Sequence, residues 1–394
     1  MNPLGLYVSI PFCRSKCTYC NFASGVFPAS YFGRYVERLE DDLRGMRAQA
    51  EHWRAELPAR ADSIYFGGGT PSLLPAPLLR RLFAAIRGQF AVEADAEITV
   101  ECAPGQLEDE TLAAMVECGV NRISFGVQSF VDEEAKHTGR LHTREIALRD
   151  VDRVRQAGIS RANLDLIAGL PAQTRDSWRE SLEMLRSAGP DHASIYMLEV
   201  DEDSRLGREI GSGGLKYYAP QVPADDAIAE MYVEAVEFLT ANGLPQYEIS
   251  NFAAPVAESR HNRKYWQRQP YLGLGLDAHS MLRNEQGQAL RFATTDALEP
   301  FLESAGWSEP QWLAREEELE EAWFLGLRLN TGVSLCALRA EFGEDAMSRF
   351  DSVLAELASN GLIECTEDCV RLTPHGRLLS NGVFAGFLSE PVSA

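Results

Sequence analysis

The first half of the chain alternates short runs of apolar and β-branched residues with longer amphipathic segments. The short runs predict buried strands, at residues 6–10, 63–66, 97–102, 122–125, 163–167 and 194–198. The amphipathic segments predict helices, at residues 29–55, 76–90, 109–118, 143–157 and 174–188. Strands that alternate with helices form a parallel sheet, and about six such units fall short of the eight units of a closed barrel. The pattern therefore predicts an α/β fold built on a partial, open (β/α)6 barrel.

The alternation stops near residue 200. Residues 201–223 are rich in glycine and charge, which predicts a linker or a covering loop. After them the pattern predicts a helix over 224–242, a strand over 246–250, a polar and aromatic loop, and a glycine-rich run over 271–280. The last 80 or so residues predict a small helical module that ends in a helix-turn-helix and a wing. We therefore expect a barrel over 1–205, a connecting region over 206–310 and a winged-helix-like domain over 311–394.

Charge limits the classes of partner that this chain can bind. Its 394 residues include 37 Lys and Arg against 58 Asp and Glu, a formal net charge of -21. Nucleic acid and anionic membranes bind proteins of the opposite sign, so we expect no nucleic acid and at most peripheral membrane contact. The segment from Gln311 onward is itself acidic, which favours a packing or partner role over DNA binding. No apolar run is long enough to span a membrane and no basic leader precedes residue 12, so a cytoplasmic location is expected.

Three of the eight cysteines are clustered. Cys13, Cys17 and Cys20 form C-x3-C-x2-C directly after the first predicted strand, at the end of a barrel where active sites lie. Three thiolates can hold three irons of a [4Fe-4S] cluster and leave the fourth iron open to a ligand. A structural zinc site and three unrelated buried cysteines remain alternatives, although zinc prefers four ligands.

A glycine turn follows the second predicted strand. In Gly67-Gly68-Gly69-Thr70-Pro71 the consecutive glycines allow backbone N–H and C=O groups to approach a ligand without obstruction by side chains. Such turns are common, so this one gains weight only from its pairing with the cysteines. The two motifs together resemble the radical SAM superfamily. That resemblance implies that S-adenosylmethionine (SAM) chelates the open iron and that one electron from the cluster can cleave it to a 5'-deoxyadenosyl radical.

The resemblance extends over nearly the whole chain to the branch that holds the oxygen-independent coproporphyrinogen dehydrogenases (HemN) and the HemW-type heme chaperones. It implies that Tyr7, Gly68 and Glu101 contact the cluster-bound SAM. It also implies that a second SAM position is matched by Tyr19, Gly69, Thr70, Gln128, Arg140 and Asp165. The polar members follow predicted strand ends and would converge on one rim. Glu101 or Asp165 could alternatively cap a helix or pair with Arg140.

Two features separate the two kinds of protein within this branch. The coproporphyrinogen dehydrogenases carry a further cysteine two residues after the third, where this chain has Phe22. The segment from His261 to Trp266 reads His-Asn-x-x-Tyr-Trp, which is similar to the signature of the HemW-type chaperones. The resemblance thus implies heme as a further ligand, with His261 as its binding residue. An imidazole beside two large aromatic side chains could ligate or stack on an iron porphyrin, or it could simply anchor a loop.

Two functions are therefore carried forward. The first is a heme chaperone that holds heme and passes it to acceptor hemoproteins. The second is a radical SAM enzyme such as a coproporphyrinogen dehydrogenase or a radical methyltransferase, which the absent fourth cysteine disfavours. Either would need an electron donor for the cluster, and both a monomer and a homodimer are compatible with the sequence.

Overall fold

The computed structural model describes residues 2–303 and 306–389 of the chain. Its first half contains the six predicted strands: β1 (Leu4–Ile10), β2 (Arg60–Gly68), β3 (Ala91–Cys102), β4 (Arg122–Gln128), β5 (Arg161–Ala168) and β6 (His192–Met197). The helices between them are α1 (Ser30–Trp53), α2 (Ala76–Gln89), α3 (Asp109–Glu117), α4 (Asp132–His137), α5 (Arg144–Gln156) and α6 (Arg175–Ala188). The prediction missed only the short α4, which is too brief to show a helical period.

The six strands pair in chain order and all run parallel. Most side chains on β1 are buried on both faces, as expected for a parallel strand covered by helices. The strand β8 also pairs in parallel with β1, and antiparallel strands extend the sheet at both ends. No pairing joins the edge strands β7 and β11 within the described residues. The predicted partial, open barrel is confirmed.

The second half continues the same sheet rather than starting a separate one. Its elements are α7 (Arg205–Ser212), α8 (Asp225–Ala241), β7 (Asn251–Ala253), α9 (Arg260–Trp266), β8 (Tyr271–Leu274), β9 (His279–Arg283), β10 (Ala289–Ala293), α10 (Leu298–Glu303) and β11 (Gln311–Trp312). The sheet has eleven strands in the order β11-β10-β9-β8-β1-β2-β3-β4-β5-β6-β7. One sheet therefore runs through both regions that the sequence separates at residue 206.

Three local predictions in this half are wrong. Residues 201–223 contain the helix α7, which begins at a capping hydroxyl of Ser204 rather than at a change of hydrophobic pattern. The strand expected over 246–250 is reduced to isolated bridges, and the paired strand β7 follows it. The polar and aromatic loop is the helix α9, whose first turn is capped by Ser259. Each is too short for periodicity to reveal it.

The C-terminal module has a core of its own, in which Trp323 stacks on Phe387. It consists of α11 (Arg315–Gly326), β12 (Val333–Ser334), α12 (Leu335–Phe342), α13 (Glu344–Met347), α14 (Asp351–Ser359), β13 (Ile363–Cys365), β14 (Cys369–Leu372), α15 (Pro374–Leu378) and α16 (Ser380–Ala385). Helices followed by the antiparallel pair β13–β14 fit the winged-helix-like expectation, which stays a prediction. Ion pairs such as Arg291–Glu321 (2.6 Å) and Arg268–Glu341 (2.7 Å) join the module to the barrel.

None of the helices in residues 2–303 and 306–389 is both long and apolar enough to cross a membrane.

Candidate functional site

The three clustered cysteines lie in the loop between β1 and α1, which we call the cysteine loop (residues 11–29). The backbone N–H of Cys13 donates to the carbonyl of Gly25 (2.8 Å), and the N–H of Gly25 donates to Pro11 (2.8 Å). The N–H of Thr18 donates to the carbonyl of Thr138 (3.1 Å) on the loop after α4. These bonds fix the loop at both ends and in its middle, so the cysteine positions are set by backbone contacts.

The cysteines themselves are half-buried and form no disulfide. The hydroxyl of Thr70 donates to Cys13 Sγ (3.9 Å), and Cys20 Sγ lies 4.0 Å from Ser24 Oγ. Burial raises the pKa of the Cys13 thiol, and the neighbouring Cys20 and Cys17 raise it further. A metal or cluster bound to the Cys13 thiolate would offset this cost.

The number and kind of ligands bear on the zinc and cluster hypotheses. No three His, Cys, Asp or Glu side chains in the described part of the chain are arranged to hold one metal ion. A cubane binds each thiolate through a different iron, so its ligands stand further apart than those of a single ion. Three half-buried thiols on one loop, with a hydroxyl donor to one sulfur, fit that cluster, whereas structural zinc prefers four ligands.

The glycine turn packs directly on the backbone of the cysteine loop. The N–H of Gly69 donates to the carbonyl of Ile10 (2.9 Å), and that of Thr70 donates to Phe12 (2.8 Å). A Cβ on Gly69 would lie 2.8 Å from the Ile10 oxygen. Gly68 has a φ of +97° and a Cβ there would lie 2.7 Å from the Ser9 hydroxyl. Only glycine fits at both positions, and the turn joins β2 to the cluster loop.

Inside the barrel the first three strands each contribute one half-buried polar side chain. The Tyr7 ring on β1 stacks beside the Tyr65 ring on β2, with centroids 6.2 Å apart. The Tyr65 hydroxyl donates to Glu101 Oε1 (2.8 Å) on β3. Burial raises the pKa of Glu101 to about 7, and the charge of Asp165 adds to this rise. Burial also raises the pKa of Tyr7.

Two further predicted residues, Asp165 on β5 and Arg140 after α4, lie on the adjacent side of this interior. Burial raises the pKa of Asp165, whose Oδ1 accepts from Asn163 Nδ2 (2.6 Å). Burial acts to lower the pKa of Arg140. The negative charges of Cys17, Tyr19 and Asp165 more than offset this effect, so the pKa is raised. The guanidinium therefore stays charged beside the cysteine loop.

Two buried polar atoms here have no hydrogen-bond partner within the described residues. They are Gln128 Oε1 and Arg140 Nε. Gln128 also has a φ of +71°, at the irregularity where β4 pairs with β5. A strained backbone and unsatisfied buried groups are found where a ligand completes the site. An amino acid and ribose moiety offers donors and acceptors for such groups, so the residues fit SAM.

The structure places His261 directly below this interior, on the floor of the barrel, where its ring stacks on that of Tyr65 (centroids 5.4 Å apart) and lies beside that of Tyr7 (6.4 Å). In the register of β1 and β2, Gly5 pairs with Ser63 two residues before Tyr7 pairs with Tyr65, so Ser63 lies one layer of side chains below Tyr65. His261 Nδ1 lies 3.0 Å from Ser63 Oγ, and Nε2 lies 2.8 Å from the Tyr265 hydroxyl. Its side chain is 1% exposed.

Charge and capping agree with a structural position for this imidazole. Burial lowers the pKa of His261 to about 3, and Lys264 and Arg122 lower it further. The N–H of His261 donates to Glu97 Oε1 (3.0 Å), so a carboxylate on β3 caps α9. Before it could ligate a metal, His261 would have to release one of its ring hydrogen bonds.

The segment from His261 to Trp266 packs against the lower ends of β1 and β2, which form the floor of the barrel. Lys264 is 1% exposed, forms an ion pair with Asp62 (2.7 Å) and donates to the Pro3 carbonyl (2.8 Å). Trp266 lies against the guanidinium of Arg328, 4.3 Å from its ring centroid. Lys264 is therefore not available to a propionate as the protein stands.

A cavity of about 300 Å³ opens at the upper rim, and the sequence did not identify it. Its lining includes Tyr7, Ser9, Phe22, Gly68, Tyr265, Tyr271, Leu276, Asp277 and His279. Its two sides are the cysteine loop and the turn between β8 and β9. The glycine-rich run over 271–280 was the only signal in the sequence, and glycine turns are too common to identify a site.

Comparisons with known proteins agree with this geometry. The model of the Radical SAM superfamily matches residues 7–185, and the HemN C-terminal domain matches residues 313–379. Heme chaperone HemW of Bacillus subtilis (strain 168) is 34% identical over 98% of this chain and 99% of the relative. The chain belongs to the HemW family of radical SAM proteins. The HemW of Escherichia coli (strain K12) is 33% identical over 98% of this chain and 99% of its own.

Similarity reaches beyond bacteria and beyond HemW. The Mus musculus protein called radical S-adenosyl methionine domain-containing protein 1, mitochondrial, is 35% identical over 84% of this chain and 74% of its own length. The solved coproporphyrinogen III oxidase HemN from Escherichia coli superposes with a TM-score of 0.83 at 25% identity, covering 98% of this chain and 90% of the solved one. The HemW and HemN proteins thus share one architecture with this chain.

Proposed function

We propose that this protein is a heme chaperone, which binds heme and transfers it to acceptor hemoproteins. The observation that carries the proposal is similarity to proteins named heme chaperone HemW over the whole length of both chains. Similarity of this extent includes the barrel, the floor helix α9 and the C-terminal module, so every part of such a chaperone has a counterpart here.

The proposal includes a [4Fe-4S] cluster on Cys13, Cys17 and Cys20, with SAM held by the polar interior above Tyr65. When bound, the cluster and SAM together supply one-electron chemistry at an open iron. The chain's own residues would bind and orient SAM: Glu101 would contact it, and Arg140 would keep a positive charge beside the thiolates. Reduction of the cluster would require an electron donor.

Phe22 supports a chaperone over a coproporphyrinogen dehydrogenase. It occupies the position of those enzymes' additional cysteine, and its side chain is 62% exposed at the rim cavity. An exposed apolar side chain beside a cavity is suited to contact with a ligand or partner. The absence of the dehydrogenases' additional cysteine therefore supports the chaperone.

The second candidate is a radical SAM enzyme that acts on a porphyrinogen. The TM-score of 0.83 to coproporphyrinogen III oxidase HemN favours it, since the whole architecture is shared. The half-buried SAM residues are compatible with it too. It predicts a product that the chaperone does not make, so the two functions separate in one assay.

The test is a hemin titration of protein with a reconstituted cluster, under anaerobic conditions, followed as a difference Soret spectrum. We expect saturation at about one heme per chain. We also expect the heme-loaded protein to transfer heme to an apo-hemoprotein when the two proteins are mixed. The absence of saturable binding across the micromolar range would overturn the chaperone. Conversion of coproporphyrinogen III to protoporphyrinogen with SAM and reductant would establish the enzyme instead.

A further inference from the structure

Alternate side chains of β1 and β2 fill the barrel interior in successive layers. The inward-facing residues of the two strands pair in register, from bottom to top, as Gly5 with Ser63, Tyr7 with Tyr65 and Ser9 with Gly67. The lowest layer contacts α9, the middle layer is aromatic, and Ser9 of the upper layer lines the rim cavity. The floor helix and the site proposed for SAM are therefore separated by a single aromatic layer.

The lowest layer holds the imidazole of His261. A Cβ at Gly5 would lie 2.7 Å from Lys264 Cδ and 3.4 Å from His261 Cε1, so glycine makes room for α9 beneath the strand. His261 Nδ1 lies 3.0 Å from Ser63 Oγ, and Nε2 lies 2.8 Å from the Tyr265 hydroxyl. A neutral imidazole has one donor and one acceptor, and each hydroxyl can supply the complement. Contacts at both nitrogens fix the plane of this ring.

The imidazole ring lies against the middle layer. Its centroid is 5.4 Å from that of Tyr65, with 28° between the two planes, and 6.4 Å from that of Tyr7. The rings of Tyr7 and Tyr65 are themselves stacked, with centroids 6.2 Å apart. Rings packed at such distances favour particular relative orientations. His261 therefore restricts the orientation of the Tyr65 ring from below.

The hydroxyl of Tyr65 extends this contact to the upper layer. Glu101 follows Val100, which pairs with Phe66 in the register of β2 and β3. Glu101 is therefore level with Gly67. The Tyr65 hydroxyl donates to Glu101 Oε1 (2.8 Å). A Cβ at Gly67 would lie only 3.1 Å from that oxygen, so glycine leaves the carboxylate accessible from above.

We propose that His261 is a positioning residue of the SAM site, which acts through the Tyr65 ring to hold the Glu101 carboxylate in the orientation that binds SAM. The proposal rests on the SAM site of the proposed function, and it assigns the α9 motif to that site rather than to heme iron. Each step from imidazole to ring to carboxylate is a direct contact, and binding groups are held best when packing locks their rotamers. Tyr265, the partner of His261 Nε2, also lines the rim cavity together with Tyr7.

The test is a calorimetric titration of SAM into cluster-reconstituted wild type, His261→Ala and His261→Phe under anaerobic conditions. His261→Ala removes the ring beneath Tyr65, and SAM should bind about three- to tenfold more weakly, the effect of one misplaced hydrogen bond. His261→Phe keeps a ring against Tyr65 but loses both ring hydrogen bonds, so it should unfold at lower denaturant and bind SAM within about twofold of wild type. His52→Ala, at an exposed histidine of α1, is the control and should match wild type in both. Bound iron should be equal in all four proteins, because no cysteine is changed.

Tyr65→Phe tests the same path with a variant that keeps the aromatic layer and so the fold. It removes only the hydroxyl, and SAM affinity should fall by about three- to tenfold. In this background His261→Ala should lower the affinity by no more than about twofold further, because the path to Glu101 is already cut. Fully additive losses would mean that His261 acts by loosening the barrel as a whole, and would overturn positioning.

The outcomes separate this role from the proposed function. If wild type binds SAM and His261→Ala binds it equally well, positioning is overturned, while the heme chaperone and its SAM site remain. If wild type with a full cluster binds no SAM, the SAM part of the proposed function is overturned and this role with it. Hemin titration of the same variants completes the test. Loss of hemin binding in His261→Ala with unchanged SAM affinity would return the motif to heme, whereas weaker SAM binding with unchanged hemin binding supports positioning.

Discussion

The upper rim and the floor of this barrel both carry polar and aromatic side chains, but they differ in how those groups are satisfied. On the rim, Gln128 Oε1 and Arg140 Nε have no partner within the described residues, and His279 is exposed. On the floor, both ring nitrogens of His261 are hydrogen-bonded and Lys264 forms an ion pair with Asp62, although Trp266 Nε1 has no hydrogen-bond partner within the described residues. The unsatisfied groups beside the cysteine loop are candidates for a ligand, whereas the satisfied imidazole and ammonium groups hold the scaffold together.

The comparison explains why residue type alone is a poor guide to a ligand. An imidazole near aromatic rings looks like a heme ligand in the sequence at residues 261–266. In the structure the same imidazole links β2 to α9 and has no nitrogen to spare. The predictions below test this division, from the largest expected effect to the smallest.

Removing the cluster ligands should have the largest effect. In Cys13→Ala/Cys17→Ala/Cys20→Ala we expect bound iron to fall from about four per chain to near zero, because the thiolates are the only protein ligands of the cluster. Iron and sulfide analysis after reconstitution measures this. Cys336→Ala, at an exposed cysteine of the C-terminal module, is the control and should keep its iron. Full iron in the triple variant would refute the cluster assignment.

Breaking the floor ion pair should destabilise the protein. Lys264→Met leaves the Asp62 carboxylate unpaired, and removing one partner of a buried pair costs about 3–5 kcal/mol of unfolding free energy. Chemical denaturation measures the loss. Lys216→Met, at an exposed lysine, should change the unfolding free energy by roughly 0.5 kcal/mol or less. The double variant Lys264→Met/Asp62→Asn should recover part of the loss, and no recovery would mean that the pair is not the cause.

Glu101→Gln should separate binding from stability on the rim. A charge-assisted hydrogen bond contributes about 1.5–3 kcal/mol, so SAM should bind roughly tenfold or more weakly to the reconstituted variant, as measured by calorimetry. The folded pKa near 7 lies above the unfolded value of 4.5, so ionisation of Glu101 destabilises the fold as pH rises from 4.5 through 7.

The opposite signs of these two effects test the assignment. Above pH 7 the cluster-free Glu101→Gln variant should be more stable than wild type, while it binds SAM less well. Glu51→Gln, on the exposed surface of α1, should change neither quantity. A Glu101→Gln variant that loses stability and keeps its SAM affinity would show that this carboxylate is structural.

The last effect, the smallest within any one pH unit, concerns the acid sensitivity of the floor. The pKa of His261 is about 3 in the folded state and near 6.5 in the unfolded state, so protons favour unfolding as pH falls from 6.5 towards 3. His261→Gln should remove the contribution of this residue to the slope of the unfolding free energy against pH, which is at most about 1.4 kcal/mol per pH unit. Unfolding free energies at several pH values measure it, with the exposed His52→Gln as control. An unchanged slope in His261→Gln would place the acid sensitivity elsewhere.

The sequence predicted much of the fold because parallel strands buried on both faces form continuous apolar runs. The same reasoning located the cysteine loop and the glycine turn, since both follow strands. It did not reveal α9, a seven-residue helix that depends on the Ser259 cap and on Glu97 from β3. Nor could it reveal that residue 261 contacts residue 63, because that contact arises from the path of the chain beneath the sheet.

The rim cavity was hidden for a related reason. Phe22, Tyr265 and His279 are far apart in sequence, and only the pairing of β8 with β1 brings them together. The SAM residues were assigned by family resemblance rather than by pattern. Their convergence on one rim follows from parallel strands, whose ends meet at the same edge of the sheet.

Amide hydrogen exchange of the cluster-reconstituted protein with and without SAM tests the division between rim and floor most directly, because it reports local protection along the whole chain. We predict slower exchange on SAM binding in peptides that cover residues 66–70 and 126–128, with no change over 260–263. Protection confined to residues 260–263, with the rim unchanged, would contradict the account.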